Sequence, residues 1–151
     1  MDLLNPELPL NISDPLWRIY SRSKSKMPHF TDRNAEVNNS MITEGSEIFG
    51  KLDFCMIFSD VRLGAGSKAQ YSAIMDNVKI GEGVNISYAI IAGDAVIEDG
   101  ATIGMPPEDY HNRENWGIAV IGQGAVIKAG CSVMPGQMIE PHSVYEGRAA
   151  E

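Results

Sequence analysis

From Ile57 to Ile103 the hydrophobic positions of the chain repeat with a seventeen-residue period. Ile57, Ile74 and Ile91 hold one phase, and Val61, Val78 and Ala95 a second. Leu63, Ile80 and Ile97 hold a third, and Ala69, Ile86 and Ile103 a fourth. Within a unit the aliphatic residues follow steps of six, six and five, as in Ile57, Leu63, Ala69 and Ile74. Further on the step is a uniform six through Ile121, Ile127, Val133 and Ile139. A short fixed period with an aliphatic residue at one phase predicts a parallel β-helix. Each hexapeptide is one flat strand and a bend, and three of them close a triangular coil. The aliphatic residue points inward onto its equivalent in the next coil, so no coil buries its face alone.

The intervening residues agree. Gly, Asn and Asp recur where the corners fall, as at Gly64 and Gly66, Gly81 and Gly83, Asp99 and Gly100. These residues accept the positive φ of tight bends. Small residues such as Ser72, Ala89, Ala101 and Ala125 suit a crowded interior. An amphipathic helix needs a period of 3.6, which these segments lack. A β-sandwich of short strands has no reason to hold one register over three units.

Composition then narrows the class. At 151 residues with 44% apolar content, one domain with a packed core is expected. A net charge of −8 argues against nucleic-acid binding, which needs a basic footprint. No run of about 18 apolar residues is present to span a bilayer, and no signal peptide is evident, so a cytoplasmic setting without membrane contact is expected. Cys55 shares the phase of Ser72 and Ala89, and with Cys131 it reads as a reduced core residue.

Four segments follow. Residues 1–36 lie outside the repeat, with Pro6, Pro9 and Pro15, then Trp17 and Tyr20, then the basic run Arg18, Arg22, Lys24 and Lys26. This proline density predicts an extended linker. Residues 37–144 form the solenoid. Its first coil, from Ile42 to Ile57, is two residues short of the period, with the deletion at the Gly50-Lys51 corner. Residues 105–117, MPPEDYHNRENWG, break the period as a polar excursion, the place where a solenoid carries function. Residues 145–151 are a tail.

The stretch MDLLNPELPLNISDPLWRIYSRSKSKMPHF, followed by AEVNNSMITEGSEIFG, VRLGAGSKAQYSAIMDNVKIGEGV and AIIAGDAVIEDGATIG, resembles the C-terminal half of bacterial glucose-1-phosphate adenylyltransferases. The resemblance implies an all-β fold, a single-stranded left-handed parallel β-helix, or hexapeptide-repeat solenoid. The handedness rests on the resemblance, because the general preference for right-handed crossovers points the other way. The family's Gly-rich nucleotide loop, metal-binding aspartates and sugar-phosphate lysine are not in this sequence. The resemblance therefore implies that the chemistry, with ATP and Mg²⁺, belongs to a catalytic domain preceding this segment, and that Met1 is internal to the parent. It also implies a homo-oligomer, a tetramer for the parent, with the catalytic domain as neighbour.

Arg18, Arg22, Lys24 and Lys26 place four positive charges on one short stretch of an acidic chain. In an extended strand these even-numbered positions share a face, which suits a phosphate. The resemblance places this linker at an effector site, so the four residues are the candidate anion-binding set. A solvated linker, or ion pairs with a neighbouring domain, is the competing explanation. No catalytic residue and no metal site are expected. His29, His111 and His142 lack the spacing of a three-histidine zinc site and read as surface residues. Glu108, Asp109 and Glu114 read as a solvated loop, Arg113 as its one positive charge, and Trp116 as the anchor of its return. The alternative function is a free-standing hexapeptide acyltransferase using acetyl-coenzyme A, with His111 as base. Such enzymes keep coils of about three full hexapeptides, and the period here, one residue shorter, speaks against that class.

Overall fold

The computed structural model describes residues 26–111, 114 and 116–147. Among these residues every regular element is a strand of two or three residues, and every strand pairing is parallel. The strands stack into three sheets, one of seven strands and two of six. They form the three faces of a left-handed parallel β-helix. The first strand, Phe30–Thr31, pairs with Glu47–Ile48. The solenoid thus starts inside the segment 1–36 expected to be linker, because Thr31 meets Ile48 at the phase that Leu63 and Ile80 continue. The last strand, Val144–Tyr145, begins a seventh coil on Val126–Ile127, so the tail contributes Tyr145 to the top of the stack.

The registers explain the coil lengths. Lys51 pairs with Lys68, Lys68 with Asn85 and Asn85 with Thr102, each one full period on. Glu36 pairs with Lys51, two residues short of that period, because Ile48 reaches Lys51 through a shortened corner. Ala89 pairs with Ala119, so the excursion at 105–117 is an insertion between the strands Thr102–Ile103 and Ala119–Ile121. The final full coil, from Ile121 to Ile139, exceeds the period by a single residue.

The interior is a set of columns. Ile48, Leu63, Ile80, Ile97 and Ile127 stack on the first face; Leu52, Ala69, Ile86, Ile103 and Val133 on the second; Ile57, Ile74, Ile91, Ile121 and Ile139 on the third. All are buried. Burying such a side chain is worth about 1.5–3 kcal/mol, and the column supplies that burial only when the coils above and below are in place. Between these columns run small ones. Cys55, Ser72, Ala89 and Ala119 form one of them, all buried. The hydroxyl of Ser72 donates to the carbonyl of Gln70 at 2.7 Å and accepts the Ala89 N–H at 3.0 Å. A buried polar group is tolerated there because both of its bonds are made. Both cysteines are free and buried, and burial pushes the Cys55 thiol up to about 11.

The corners depart from the glycine-asparagine rule at His142, with φ of 57°, and along one whole corner. Phe54, Tyr71 and Tyr88 occupy a single corner with φ of 53°, 47° and 50°. Left-handed backbone at a bulky residue costs on the order of 1–3 kcal/mol. Stacking offsets part of it. Phe54 and Tyr71 lie 5.3 Å apart, and Tyr71 and Tyr88 lie 4.8 Å apart and 11° from parallel.

Outside, the three faces differ. The second face is polar, with Glu36, Lys51, Lys68, Asn85, Thr102 and Ser132 in its outward column. The first is charged at Glu47, Arg62 and Lys79 and aliphatic from Val96 upward. The third is apolar along its whole length: Met41, Met56, Ala73, Ile90, Val120 and Met138 form one unbroken outward column.

Candidate functional site

Of the expected anion-binding set, Arg18, Arg22 and Lys24 lie outside the described residues, as do Arg113, Trp17 and Tyr20. Lys26 is described. Its ammonium lies 3.4 Å from a carboxylate oxygen of Asp60, and the next residue, Met27, accepts the Gly45 N–H at 2.7 Å. The chain therefore enters along the corner that Gly45, Asp60, Asn77 and Asp94 follow up the solenoid, all four at positive φ. Lys26 sits at one end of a polar groove on that corner, lined further by Asp76, Asn77, Asp94 and Gln123. The groove is acidic and knitted together. Asn77 donates to Asp94 at 2.8 Å, Gln123 donates to the other oxygen of Asp94 at 3.2 Å, and the Ser59 N–H donates to Asp76 at 3.1 Å. At this point Lys26 faces carboxylates.

The histidines do not converge. His29 and His111 are exposed, and His142 occupies a corner at φ 57°. Among the described residues no three His, Cys, Asp or Glu side chains come together to hold a metal ion. The excursion is tied down at its return: the Trp116 indole N–H donates to the Met105 carbonyl at 2.8 Å. The ring also meets Tyr88 edge-on at 5.2 Å. Trp116 thus closes the loop as expected, and it also caps the Phe54–Tyr71–Tyr88 ladder. That ladder was legible, since the three residues are themselves one period apart, but corner chemistry points to Gly, Asn and Asp instead. The apolar third face was legible by the same step.

A second notch lies at the short corner, lined by Asp32, Asn34, Phe49, Gly50, Lys51 and Ala65. The Arg62 guanidinium lies 5.1 Å from the centre of the Phe49 ring.

The profile of the GlmU-like C-terminal hexapeptide family matches residues 24–127. This chain belongs to that family. Glucose-1-phosphate adenylyltransferases are similar to this GlmU-like hexapeptide chain over part of its length. The protein from Clostridium novyi is 43% identical over 67 residues, which cover 44% of this chain and 18% of that protein. The one from Thermotoga neapolitana is 34% identical over 67 residues, covering 44% and 16%. The matched part is thus less than a fifth of these relatives' length. Among solved structures, the acetyltransferase domain of PglB from Neisseria gonorrhoeae superposes with a TM-score of 0.51 at 17% identity, covering 83% of this chain and 53% of that one. At that identity the likeness speaks for the hexapeptide fold alone. No helix among the described residues is long and apolar enough to cross a membrane.

Proposed function

We propose that this chain is the assembly and regulatory β-helix of a cytoplasmic glucose-1-phosphate adenylyltransferase. The parent joins ATP and glucose 1-phosphate to give ADP-glucose and pyrophosphate for glycogen synthesis. The observation that carries this reading is the 43% identity to a glucose-1-phosphate adenylyltransferase within a GlmU-like hexapeptide solenoid. Mg²⁺ and the reacting phosphates are assigned to a separate nucleotidyltransferase domain.

The test is pyrophosphate release from ATP, glucose 1-phosphate and Mg²⁺. This chain alone is expected to stay at the no-protein blank, and turnover above it would overturn the division of labour. The anion role of Arg18, Arg22, Lys24 and Lys26 belongs to the same proposal. In the enzyme that carries this domain, Arg22→Ala with Lys24→Ala should leave unregulated activity intact. The effector response should move to higher concentration, because charge-assisted contacts are worth about 1.5–3 kcal/mol each. An unchanged response would assign the run to a solvated linker.

A further inference from the structure

Among the described residues nothing covers the third face, a sheet surface of unusual composition. Beside the column from Met41 to Met138 runs a second outward one, in which Phe58, Met75, Ala92 and Gly122 follow one another in successive coils. Met138 is 72% exposed, Met75 40% and Phe58 38%. On the other side of the main column lies the aromatic corner of Tyr71 and Tyr88. Six strands at ~4.8 Å spacing and roughly five residues of breadth give a face on the order of 500 Å² before side-chain relief. The largest apolar patch of a typical monomer is about 300–600 Å² and is often functional, and this face reaches that size on one side of the solenoid.

We infer that this face pairs with the same face of a second copy, the two solenoids antiparallel about a twofold axis lying between the coils of Met75 and Ala92. Charge selects the occupant. Copies carrying −8 each repel, so two of them approach best where neither presents charge, and the third face meets that condition in both columns until Glu140. Shape selects the orientation. A twofold axis running along the strands keeps each column on itself and inverts the coil order. Phe58 then faces the partner's Gly122, and Met75 faces its Ala92. In the main column Ala73 faces Ile90, Met56 faces Val120, and Met41 faces Met138. Small meets large at the three central pairs, Phe58 with Gly122, Met75 with Ala92 and Ala73 with Ile90, while Met56 with Val120, Met41 with Met138 and Thr43 with Glu140 form the ends. Two parallel solenoids would not achieve this, since there Met41 would meet Met41 and Ala73 would meet Ala73. Two such faces bury on the order of 1,000 Å², the low end for specific interfaces, so the dimer is expected to be reversible. Asp60, Asp76 and Asp94 line the adjoining corner, and the twofold brings the two acidic rims near each other. Added salt should therefore tighten the dimer.

This inference sharpens the assembly role proposed above and rests on it only in expecting that copies meet. Light scattering over a concentration series should show a dimer that becomes monomer in Met75→Asp, whose thermal melt should match that of wild type diluted below the dimer range. Lys79→Asp, on the first face, should leave the dimer intact. With a short bismaleimide, Met41→Cys and Met138→Cys should each stay uncross-linked alone and cross-link when mixed, while the buried Cys55 and Cys131 remain unmodified. A chain that stays monomeric leaves the face to a different protein and overturns both the pairing and the assembly role. A dimer unaffected by Met75→Asp, or one loosened by salt, keeps the assembly role and overturns this face. Cross-linking of either single cysteine variant with itself overturns the antiparallel orientation.

Discussion

Ile80 and Lys79 are neighbours on one two-residue strand and live under opposite constraints. Ile80 is stacked between Leu63 and Ile97 at 2% exposure. Lys79 pairs with Arg62 and Val96 in register and is exposed. The same holds for the whole solenoid. Inward positions repeat because each coil is the lid of the one below. Outward positions follow no such rule, so the three faces diverge into a polar, a mixed and an apolar one. Identity of fold is written inside, and whatever distinguishes this solenoid from others is written outside.

The largest effect should come from breaking the inward rule. Ile80→Asp places a carboxylate between two aliphatic neighbours with no partner, at a cost of roughly 3–5 kcal/mol. Lys79→Asp should cost about 0.5 kcal/mol or less. Chemical denaturation of the two variants checks this. Equal tolerance of both would mean that the inward phase is misassigned.

The interior was legible because its rule is arithmetic. Ile57, Ile74 and Ile91 declare the period, and the short corner at Gly50-Lys51 and the excursion at 105–117 emerge as departures from it. The start of the solenoid was less legible. Phe30–Thr31 pairs through its backbone, and Thr31 is a polar residue at an inward phase, so hydropathy gives no signal there. The candidate site was the least legible. A basic run shows that charge is concentrated but not what it faces, and the structure turns Lys26 to Asp60. The aromatic corner was missed because Phe54, Tyr71 and Tyr88 adopt backbone conformations that side-chain type argues against.

A middle-sized effect should separate two glycines of adjacent corners. A Cβ on Gly64 would run into the Gly81 carbonyl and come within 2.9 Å of the Glu82 nitrogen, so the backbone of the next coil would have to shift. Gly83 has φ of +64° and open space around its would-be Cβ. Gly64→Ala should therefore cost about 1–3 kcal/mol through overpacking. Gly83→Ala should cost about 1 kcal/mol through left-handed strain alone. Comparable losses in thermal melts would show that inter-coil spacing at the corners is softer than the interior columns imply.

The smallest effect belongs to the outside. Lys128 donates to Glu98 at 2.8 Å, and the Ala129 N–H donates to its other oxygen at 3.1 Å. These two bonds tie together the coils on either side of the excursion. The Lys128 bond, and then the Ala129 bond, hold the Glu98 carboxyl below the usual carboxylate range, while Glu98 holds the Lys128 ammonium above its ordinary value. The sign follows from each shift. A lowered carboxyl contributes stability that is complete above its unfolded value and lost as pH falls through the folded one. A raised ammonium contributes stability that is complete below its unfolded value and lost as pH rises through the folded one. The pair therefore acts between about pH 5 and pH 10. Both groups are solvent-accessible, so the gain is small and screened by salt. Wild type should melt slightly above Glu98→Gln at pH 7 and low salt. The gap should close on acidification toward pH 3 and in concentrated salt, where Arg62–Glu47, at 2.9 Å on the same outer face, fades as well. A gap that persists at pH 3 would mean that Glu98 acts through packing across the excursion instead of through its charge.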